Sequence, residues 1–177
     1  IGSWMTMGNQ AIAEILALAG FEWLVVDMEH SCTTLREVES LIRVSELAGA
    51  APLVRLSDND PVQVKQVMDA GAHGIVVPMV NSTEDVEKAF ESMHYPPRGK
   101  RGVGLARAQS YGNGFEEYKS WLDNESVLVV QIEHIHAVQN LEAILAVEGV
   151  DAFIVGPYDL SGSLGISGEF EHPLMLE

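Results

Sequence analysis

Two buried, β-branched runs of the sequence are each followed by an acid that could help to hold a cation. The runs are Val127–Ile132 and Ala152–Val155; Glu133 follows the first, and Asp159 comes shortly after the second. Apolar runs of this length and composition predict buried strands. Carboxylate oxygens suit Mg²⁺ or Mn²⁺, with the remaining coordination positions left to water and substrate. The two acids are therefore candidate ligands for one divalent cation.

Further polar side chains accompany other apolar runs. The segment "DMEHS" brings Asp27, Glu29 and His30 to the end of one run, and "PLVRLSDND" brings Arg55 to the end of the next. Gln131 lies within the run that precedes the first candidate ligand. An imidazole exchanges protons near neutral pH, and a guanidinium binds carboxylates. If these runs are parallel strands, their ends meet and the polar groups surround one mouth.

Each of these residues also has a purely structural explanation. Arg55 can pair with Asp58 or Asp60, Glu133 can cap the following helix, and Asp159 can organise its own turn. An adjacent Glu-His pair is more often solvated or packed than catalytic. The joint occurrence of these residues at successive strand ends nevertheless favours an active site.

The elements that position these residues follow from alternating apolar runs and helical patterns. The predicted strands are Ile1–Met5, Trp23–Asp27, Pro52–Arg55, Gly74–Pro78, Val127–Ile132 and Ala152–Val155. The predicted helices are Gln10–Ala19, Thr34–Leu47, Pro61–Ala70, Thr83–Met93, Phe115–Leu122 and Ala137–Val147. Such alternation indicates βα units on a parallel sheet, in either a doubly wound fold or a (β/α)₈ barrel. No glycine-rich fingerprint follows the first strand, and polar residues gather at strand ends, so an α/β fold of the TIM-barrel type is favoured.

About six βα units are recognisable, whereas a closed TIM barrel has eight. We therefore expect residues 1–177 to be a single, partial TIM-barrel domain that belongs to a longer protein. A barrel that lacks two units exposes sheet edges and apolar surface.

The charge balance limits the partners. The chain carries 26 acidic residues against 10 Lys and Arg, a formal net charge of −16, which disfavours nucleic acids and anionic membrane surfaces. It contains one cysteine, Cys32, and no basic-then-apolar leader, so we expect a reducing, cytoplasmic location.

Three other chemistries are less consistent with the sequence. A Schiff-base aldolase needs a lysine on a strand, whereas the four lysines fall in helical patterns or in the long loop, namely Lys65, Lys88, Lys100 and Lys119. Cys32 has no recognisable Cys–His–acid context. His134 and His136 suggest zinc only weakly, because they lie at a helix start rather than along one helical face.

The loop Tyr95–Gly114 holds the one basic concentration of the chain. Its cations are Arg98, Lys100, Arg101 and Arg107. A solvated loop and a contact with an anionic substrate or another subunit explain it equally well.

Several segments together resemble one known family. They are "GFEWLVVDMEHS", "PLVRLSDNDPVQVKQVMDAGAHGIVVPMV", "YPPRGKRGVG", "VVQIE" and "GVDAFIVGPYDLS". In this order, and over nearly the whole chain, they resemble the HpcH/HpaI aldolases, which are metal-dependent class II pyruvate aldolases on a TIM barrel. The resemblance implies Glu133 and Asp159 as ligands of Mg²⁺, Mn²⁺ or Co²⁺. It implies a substrate site at Arg55, Gln131, Gly156 and Tyr158, in which the arginine binds the pyruvate carboxylate and keto oxygen.

The resemblance also implies His30 as the catalytic base, paired with Asp69 and close to a second acid, Asp27. Two departures from the family pattern concern the substrate. Leu56 follows the arginine, where the family often has proline, and Tyr158 precedes the metal aspartate, where the family often has a small residue. Both leave the identity of the substrate open.

The implied reaction is cleavage of a 4-hydroxy-2-oxo acid to pyruvate and an aldehyde through a metal-stabilised pyruvate enolate. The implied partners are therefore small molecules, and the implied assembly is a homo-oligomer, with a hexamer favoured. Two alternatives stay open: a relative that joins or splits citrate-like acids, and a catalytically silent barrel fragment that serves assembly.

Overall fold

The computed structural model describes residues 1–176 as one curled, parallel sheet with helices on its outer face. The strands are β1 (Gly2–Met5), β2 (Trp23–Asp27), β3 (Ala51–Arg55), β4 (Gly74–Val77), β5 (Val127–Ile132) and β6 (Ala152–Val155). Neighbours in space are neighbours in sequence, in the order β1-β2-β3-β4-β5-β6. This order favours the barrel over the doubly wound fold, because a doubly wound sheet reverses its strand order at a switch point. Six strands form a half-barrel, so the closed barrel is not shown in this chain.

The helices agree with most of the predicted positions. They are α1 (Gln10–Leu18), α2 (Leu35–Leu47), α3 (Pro61–Asp69), α4 (Thr83–Met93), α5 (Phe115–Glu125), α6 (Ile135–Gln139), α7 (Leu141–Leu145), α8 (Pro157–Ser163) and α9 (Pro173–Leu176). Local sequence explains several helix starts. Thr34 and Ser82 form capping boxes before α2 and α4, and Asp60 caps α3 by accepting from the backbone N–H groups of Val62 and Gln63. None of the helices among the described residues is long and apolar enough to cross a membrane.

One predicted helix, Ala137–Val147, is wrong as a single element. The segment forms two short helices, α6 and α7, separated at Asn140, whose backbone has φ −102° and ψ 8°. The Asn140 side chain donates to the carbonyl of Asn81 at 2.9 Å, an acceptor far away in the sequence. Because asparagine favours such contacts over a helix interior, the tertiary bond ends the first helix. The long loop also contains a short 3₁₀ segment, Arg107–Gly112.

Strand alternation separates two apolar layers. Side chains such as Leu24 and Val26 point outward and join the main core beneath the helices. Val25, Leu53 and Val76 point to the concave inner face, where they form a smaller cluster. The inner face lines a cavity of about 550 Å³ that includes Trp23, Val127 and Phe153 among its wall residues.

The same alternation carries the polar residues to one end of the inner face. Asp27 continues the inward series of β2, Arg55 that of β3, and Gln131 that of β5. All strands are parallel, so these positions meet at the C-terminal end of the sheet.

Candidate active site

Asp27 and Arg55 are register partners on neighbouring strands. Arg55 Nε donates to Asp27 Oδ1 at 2.9 Å, and Nη2 donates to Oδ2 at 2.7 Å. The Asp27 side chain also accepts from the backbone N–H groups of Glu29 and His30. This bidentate pair fixes the plane of the guanidinium. Arg55 thus pairs with Asp27, and not with Asp58 or Asp60.

Burial alone would raise the pKa of Asp27. The hydrogen bonds from Arg55 and from the two backbone N–H groups outweigh burial, so the pKa lies below the ordinary value of 3.8. For Arg55, burial alone would lower the pKa, but Asp27 and the acids Glu29 and Glu133 raise it. The pair is therefore ionised at neutral pH.

Glu29 and His30 complete the end of β2. Arg55 Nη1 lies 3.1 Å from Glu29 Oε2, a buried oxygen without a hydrogen bond of acceptable geometry in the described chain. Burial raises the pKa of Glu29 against the effect of Arg55, and the charge of Glu133 adds to the increase. The His30 side chain is 63% exposed, and its Nε2 lies 3.9 Å from Glu29 Oε1. The imidazole thus stands at the mouth of the site, open to solvent or substrate.

Glu133 is 1% exposed at the end of β5 and is held from two sides. Its Oε1 accepts from the Met79 backbone N–H at 2.7 Å, and its Oε2 accepts from the Gln131 side-chain amide. Met79 has a left-handed backbone, φ 53°, which is uncommon for a residue with a side chain and typical of functional sites. Each carboxylate oxygen keeps a free lone pair for a further ligand.

Gly156 brings the end of β6 against this carboxylate. A Cβ at Gly156 would lie 2.6 Å from Glu133 Oε2, so only glycine fits without displacement. Asp159 lies three residues further on, in the first turn of α8. It is exposed, and among residues 1–176 it has neither a hydrogen bond nor an ion pair from its side chain.

The donor set fits a divalent cation. Glu133, buried at the end of β5, and Asp159, exposed in the first turn of the helix that follows β6, supply hard oxygen ligands, and Glu29 adds a carboxylate nearby. No cluster of three or more His, Cys, Asp or Glu side chains in the described part of the chain is arranged to hold a metal by itself. A cation here would therefore take its remaining ligands from water and substrate.

Trp4 is a site residue that the motifs did not reveal. Its ring lies 4.8 Å from the Arg55 guanidinium carbon, a cation–π contact. Both residues line a cavity of about 240 Å³ with Gln131, Gly156 and Pro157. The position could have been found from register, because Trp4 pairs with Val25 on the inner face of the sheet.

Tyr158 directly precedes Asp159 in the first turn of α8. It is 70% exposed, and its ring meets Phe170 edge to face at 4.9 Å. The contact orients a large aromatic group next to Asp159.

Asp69 is not brought to this site within one chain. It is the last residue of α3, which begins near the C-terminal end of β3 and runs back, so Asp69 lies towards the N-terminal ends of the strands. Its Oδ1 lies 3.3 Å from Arg101 Nη2. The predicted pairing of His30 with Asp69 is therefore absent within this chain, and Glu29 is the acid in contact with the histidine.

Most of the other residues considered from the sequence form local contacts that stabilise the fold. Cys32 is an exposed thiol. His134 caps α6, and its Nδ1 accepts from the His136 backbone N–H. In the basic loop, Arg98 donates to the Asp123 carbonyl, and Arg107 is bound to Glu46.

Comparison with known proteins gives a consistent result. A family model described as HpcH/HpaI aldolase/citrate lyase matches residues 1–177. The chain is 41% identical over 175 residues to a 4-hydroxy-2-oxo-heptane-1,7-dioate aldolase of Salmonella typhimurium, which covers 98% of this chain and 66% of that protein. It is also 41% identical over 175 residues to a hydroxypyruvate/pyruvate aldolase of Agrobacterium fabrum, covering 98% and 65%.

A solved structure extends the likeness to the fold. The crystal structure of an HpcH/HpaI aldolase from Desulfitobacterium hafniense superposes with a TM-score of 0.88 at 38% identity, covering 99% of this chain and 68% of that one. The chain thus spans about two thirds of the length of the proteins it matches.

Proposed function

The chain belongs to the HpcH/HpaI aldolase/citrate lyase family, and on this premise we propose that the full-length protein cleaves a 4-hydroxy-2-oxo acid to pyruvate and an aldehyde. The observation that carries the proposal is the placement of buried Glu133 at the strand ends where Asp27 holds Arg55 in a bidentate pair. The adjoining cavity of about 240 Å³ has room for a small 2-oxo acid.

Glu133 and Asp159 are the residues that would hold a divalent cation, Mg²⁺, Mn²⁺ or Co²⁺. When bound, the cation polarises the keto group of the substrate and stabilises negative charge on its oxygen. The buried carboxylate is fixed by Met79 and Gln131, so its orientation does not depend on a ligand. The exposed carboxylate is free to adjust as substrate enters.

Arg55 binds the substrate carboxylate and faces the oxygen that becomes negative when the carbon–carbon bond breaks. Asp27 and the ring of Trp4 hold the guanidinium in advance, so little reorganisation accompanies the reaction. Gln131 lies beside the same oxygen and supplies a polar wall.

His30 takes the proton from the 4-hydroxyl group. The bond between carbons 3 and 4 then breaks, the aldehyde leaves, and the electron pair passes to the keto end of the remaining fragment. A proton returned to carbon 3 completes pyruvate. The exposure of His30 at the mouth suits exchange of this proton with water.

Asp69 would reach the site only from a second copy of the chain. In one chain it lies at the opposite end of the strands from His30, in contact with Arg101. Since the family resemblance places both residues in one site, we propose a homo-oligomer, with a hexamer favoured, in which Asp69 of a second copy approaches the histidine. Light scattering on the full-length protein tests the assembly, and a stable, fully active monomer would contradict it.

The complete fold is proposed to be a closed (β/α)₈ barrel. The relatives are longer than this chain, and β1 and β6 are the edge strands with which two further strands could pair to close the sheet. All residues of the proposed strand-end site lie on the six βα units of the half-barrel, apart from Asp69 of a second copy.

A second reaction is favoured by the family description, which includes citrate lyases. The same groups could split a citrate-like acid, and the exposed Tyr158 would then contact a different acceptor. A panel of 4-hydroxy-2-oxo acids and citrate-like acids, with the released 2-oxo acid identified and measured for each, separates the two. Pyruvate release from the hydroxy-oxo acids supports the aldolase, whereas turnover of citrate-like acids alone would overturn it.

A further inference from the structure

Arg101 is a buried cation in the segment that follows α4. Its side chain has no accessible surface. Its Nη1 donates to the Met93 carbonyl at 2.7 Å, and its Nη2 donates to the hydroxyls of Tyr95 and Tyr118 at 2.8 and 2.9 Å. Its guanidinium carbon also lies 4.4 Å from the centre of the Tyr95 ring and 5.4 Å from that of the Tyr118 ring. The position of this cation is therefore fixed by α4, by α5 and by the segment between them.

Asp69, at the end of α3, is the acid beside this cation. Its Oδ1 lies 3.3 Å from Arg101 Nη2 and is buried, but no group among residues 1–176 donates a hydrogen bond of acceptable geometry to it. A buried guanidinium needs an opposite charge nearby, because transfer of an unpaired charge from water is costly. Asp69 supplies that charge. The position of its inner oxygen thus depends on attraction by the guanidinium rather than on a hydrogen bond.

The other edge of the Asp69 carboxylate is open. The side chain is 20% exposed although Oδ1 is buried, so its accessible part lies away from Arg101. This part lines a groove of about 630 Å³, whose walls include Leu35, Leu105 and Tyr111. A group from outside the chain can reach the carboxylate from this groove, while the buried edge stays against the cation.

We propose that Arg101 is a positioning residue for the catalytic base: it holds one edge of Asp69 so that the other edge can accept a hydrogen bond from His30 of a second copy. This inference rests on the proposed contact between Asp69 and that histidine. An ionised carboxylate beside an imidazole raises the pKa of the imidazole and makes it a stronger base. Within its own chain, the His30 ring lies 3.9 Å from Glu29 Oε1, a contact that does not involve Arg101.

The charges around Asp69 decide the sign of the expected effect. Burial raises the pKa of Asp69, and the positive charges of Arg101 and Lys65 counteract the increase. Burial also raises the pKa of the neighbouring Tyr118 hydroxyl, which is therefore neutral. Without Arg101, Asp69 is less firmly held and more readily protonated, so the pKa of the histidine should fall. A direct effect of the guanidinium on the imidazole has the opposite sign, because removal of a positive charge raises the pKa of a histidine.

An NMR titration of the full-length protein with isotope-labelled histidine tests this role, the His30 resonance being identified by its absence in His30→Asn. Asp69→Asn should lower the pKa of the histidine by about one to three units, and Arg101→Met should lower it by about one unit. The double variant Asp69→Asn/Arg101→Met should show no further fall, because both changes act through one carboxylate. The matched control is Arg98→Met, in the same segment, which loses a partly exposed pair with Asp123 and should leave the pKa unchanged.

Light scattering shows whether each variant still assembles. If Arg101→Met does not, Arg101→Lys gives the decision: it keeps the charge but loses the planar fork, so we expect an intermediate pKa, and the wild-type value would overturn the proposal. An unchanged or raised pKa in Arg101→Met, or a fall that adds in full to that of Asp69→Asn, would also overturn it.

Failure of the underlying proposals would look different. An unchanged pKa in Asp69→Asn would contradict the contact between copies, and the role of Arg101 with it. The titration requires no turnover, so a protein that cleaves no 4-hydroxy-2-oxo acid would contradict the proposed reaction alone.

Discussion

Arg55 and Asp27 face each other across β2 and β3 and share two hydrogen bonds, at 2.9 and 2.7 Å. Asp27 is only 1% exposed, so solvent does not compete for its carboxylate. The pairing of the two strands places Arg55 against it. The orientation of the cationic group that receives the substrate is therefore decided by strand register.

Asp27→Asn should disturb the orientation of Arg55 without creating a cavity in the core. The amide keeps the size of the side chain but loses its charge and one acceptor, so Arg55 is held less firmly. We expect kcat/KM to fall by about 10- to 100-fold, the range for one lost charge-assisted hydrogen bond of about 1.5–3 kcal/mol. Steady-state kinetics measures the change, and an unaltered kcat/KM would contradict the role of the pair.

Acid should weaken the fold through the same residue. The folded-state pKa of Asp27 lies below 3.8, so its stabilising contribution is present in full above the unfolded-state pKa of about 3.9 and is lost as pH falls through the folded value. The difference in unfolding free energy between the wild type and Asp27→Asn should therefore shrink as pH drops below about 4. Urea unfolding across this range tests it; a constant difference would show that the pKa is not lowered.

Gly156→Ala should impair cation binding. The added Cβ would meet Glu133 Oε2 at 2.6 Å and Glu133 Cβ at 2.8 Å, so the buried carboxylate must move. We expect Mn²⁺ affinity to fall about 10- to 100-fold, as when the supporting residues of a metal site change. The control is Gly102→Ala, whose Cβ would meet nothing within 4 Å. Equal affinity in both variants would argue against Glu133 as a ligand.

His30→Asn should slow cleavage while leaving pyruvate binding intact. The exposed imidazole contacts Glu29 and supports no core packing, so its loss removes only the proposed proton acceptor. A drop in kcat of roughly 10²- to 10⁴-fold is the usual size for a general base. Comparison of kcat with the pyruvate dissociation constant checks this. A kcat within threefold or so of the wild type would assign the proton to another group.

Much of this arrangement could be predicted from the sequence. The strands Trp23–Asp27, Val127–Ile132 and Ala152–Val155 have the predicted bounds, because buried parallel strands read as continuous apolar runs. Parallel strands then bring Asp27, Arg55 and Glu133 to one end.

Other features depend on tertiary contacts that no local pattern contains. The break at Asn140 follows from a bond to Asn81, and the donor at Met79 is a backbone N–H whose left-handed conformation the sequence did not indicate. The position of Asp69 could have been inferred from topology, because the end of α3 lies opposite the strand ends.

Glu133 and Asp159 are proposed to hold one divalent cation that would polarise the 2-oxo acid. This pairing is tested by exchange of the carbon-3 protons of pyruvate in deuterated water, followed by proton NMR with the full-length protein. We predict that exchange stops after EDTA treatment, returns with Mg²⁺ in the wild type, and does not return in Glu133→Gln or Asp159→Asn, whereas Glu142→Gln, an exposed acid on α7, behaves as the wild type. Exchange at the full rate in excess chelator would show that pyruvate is enolised without a divalent cation.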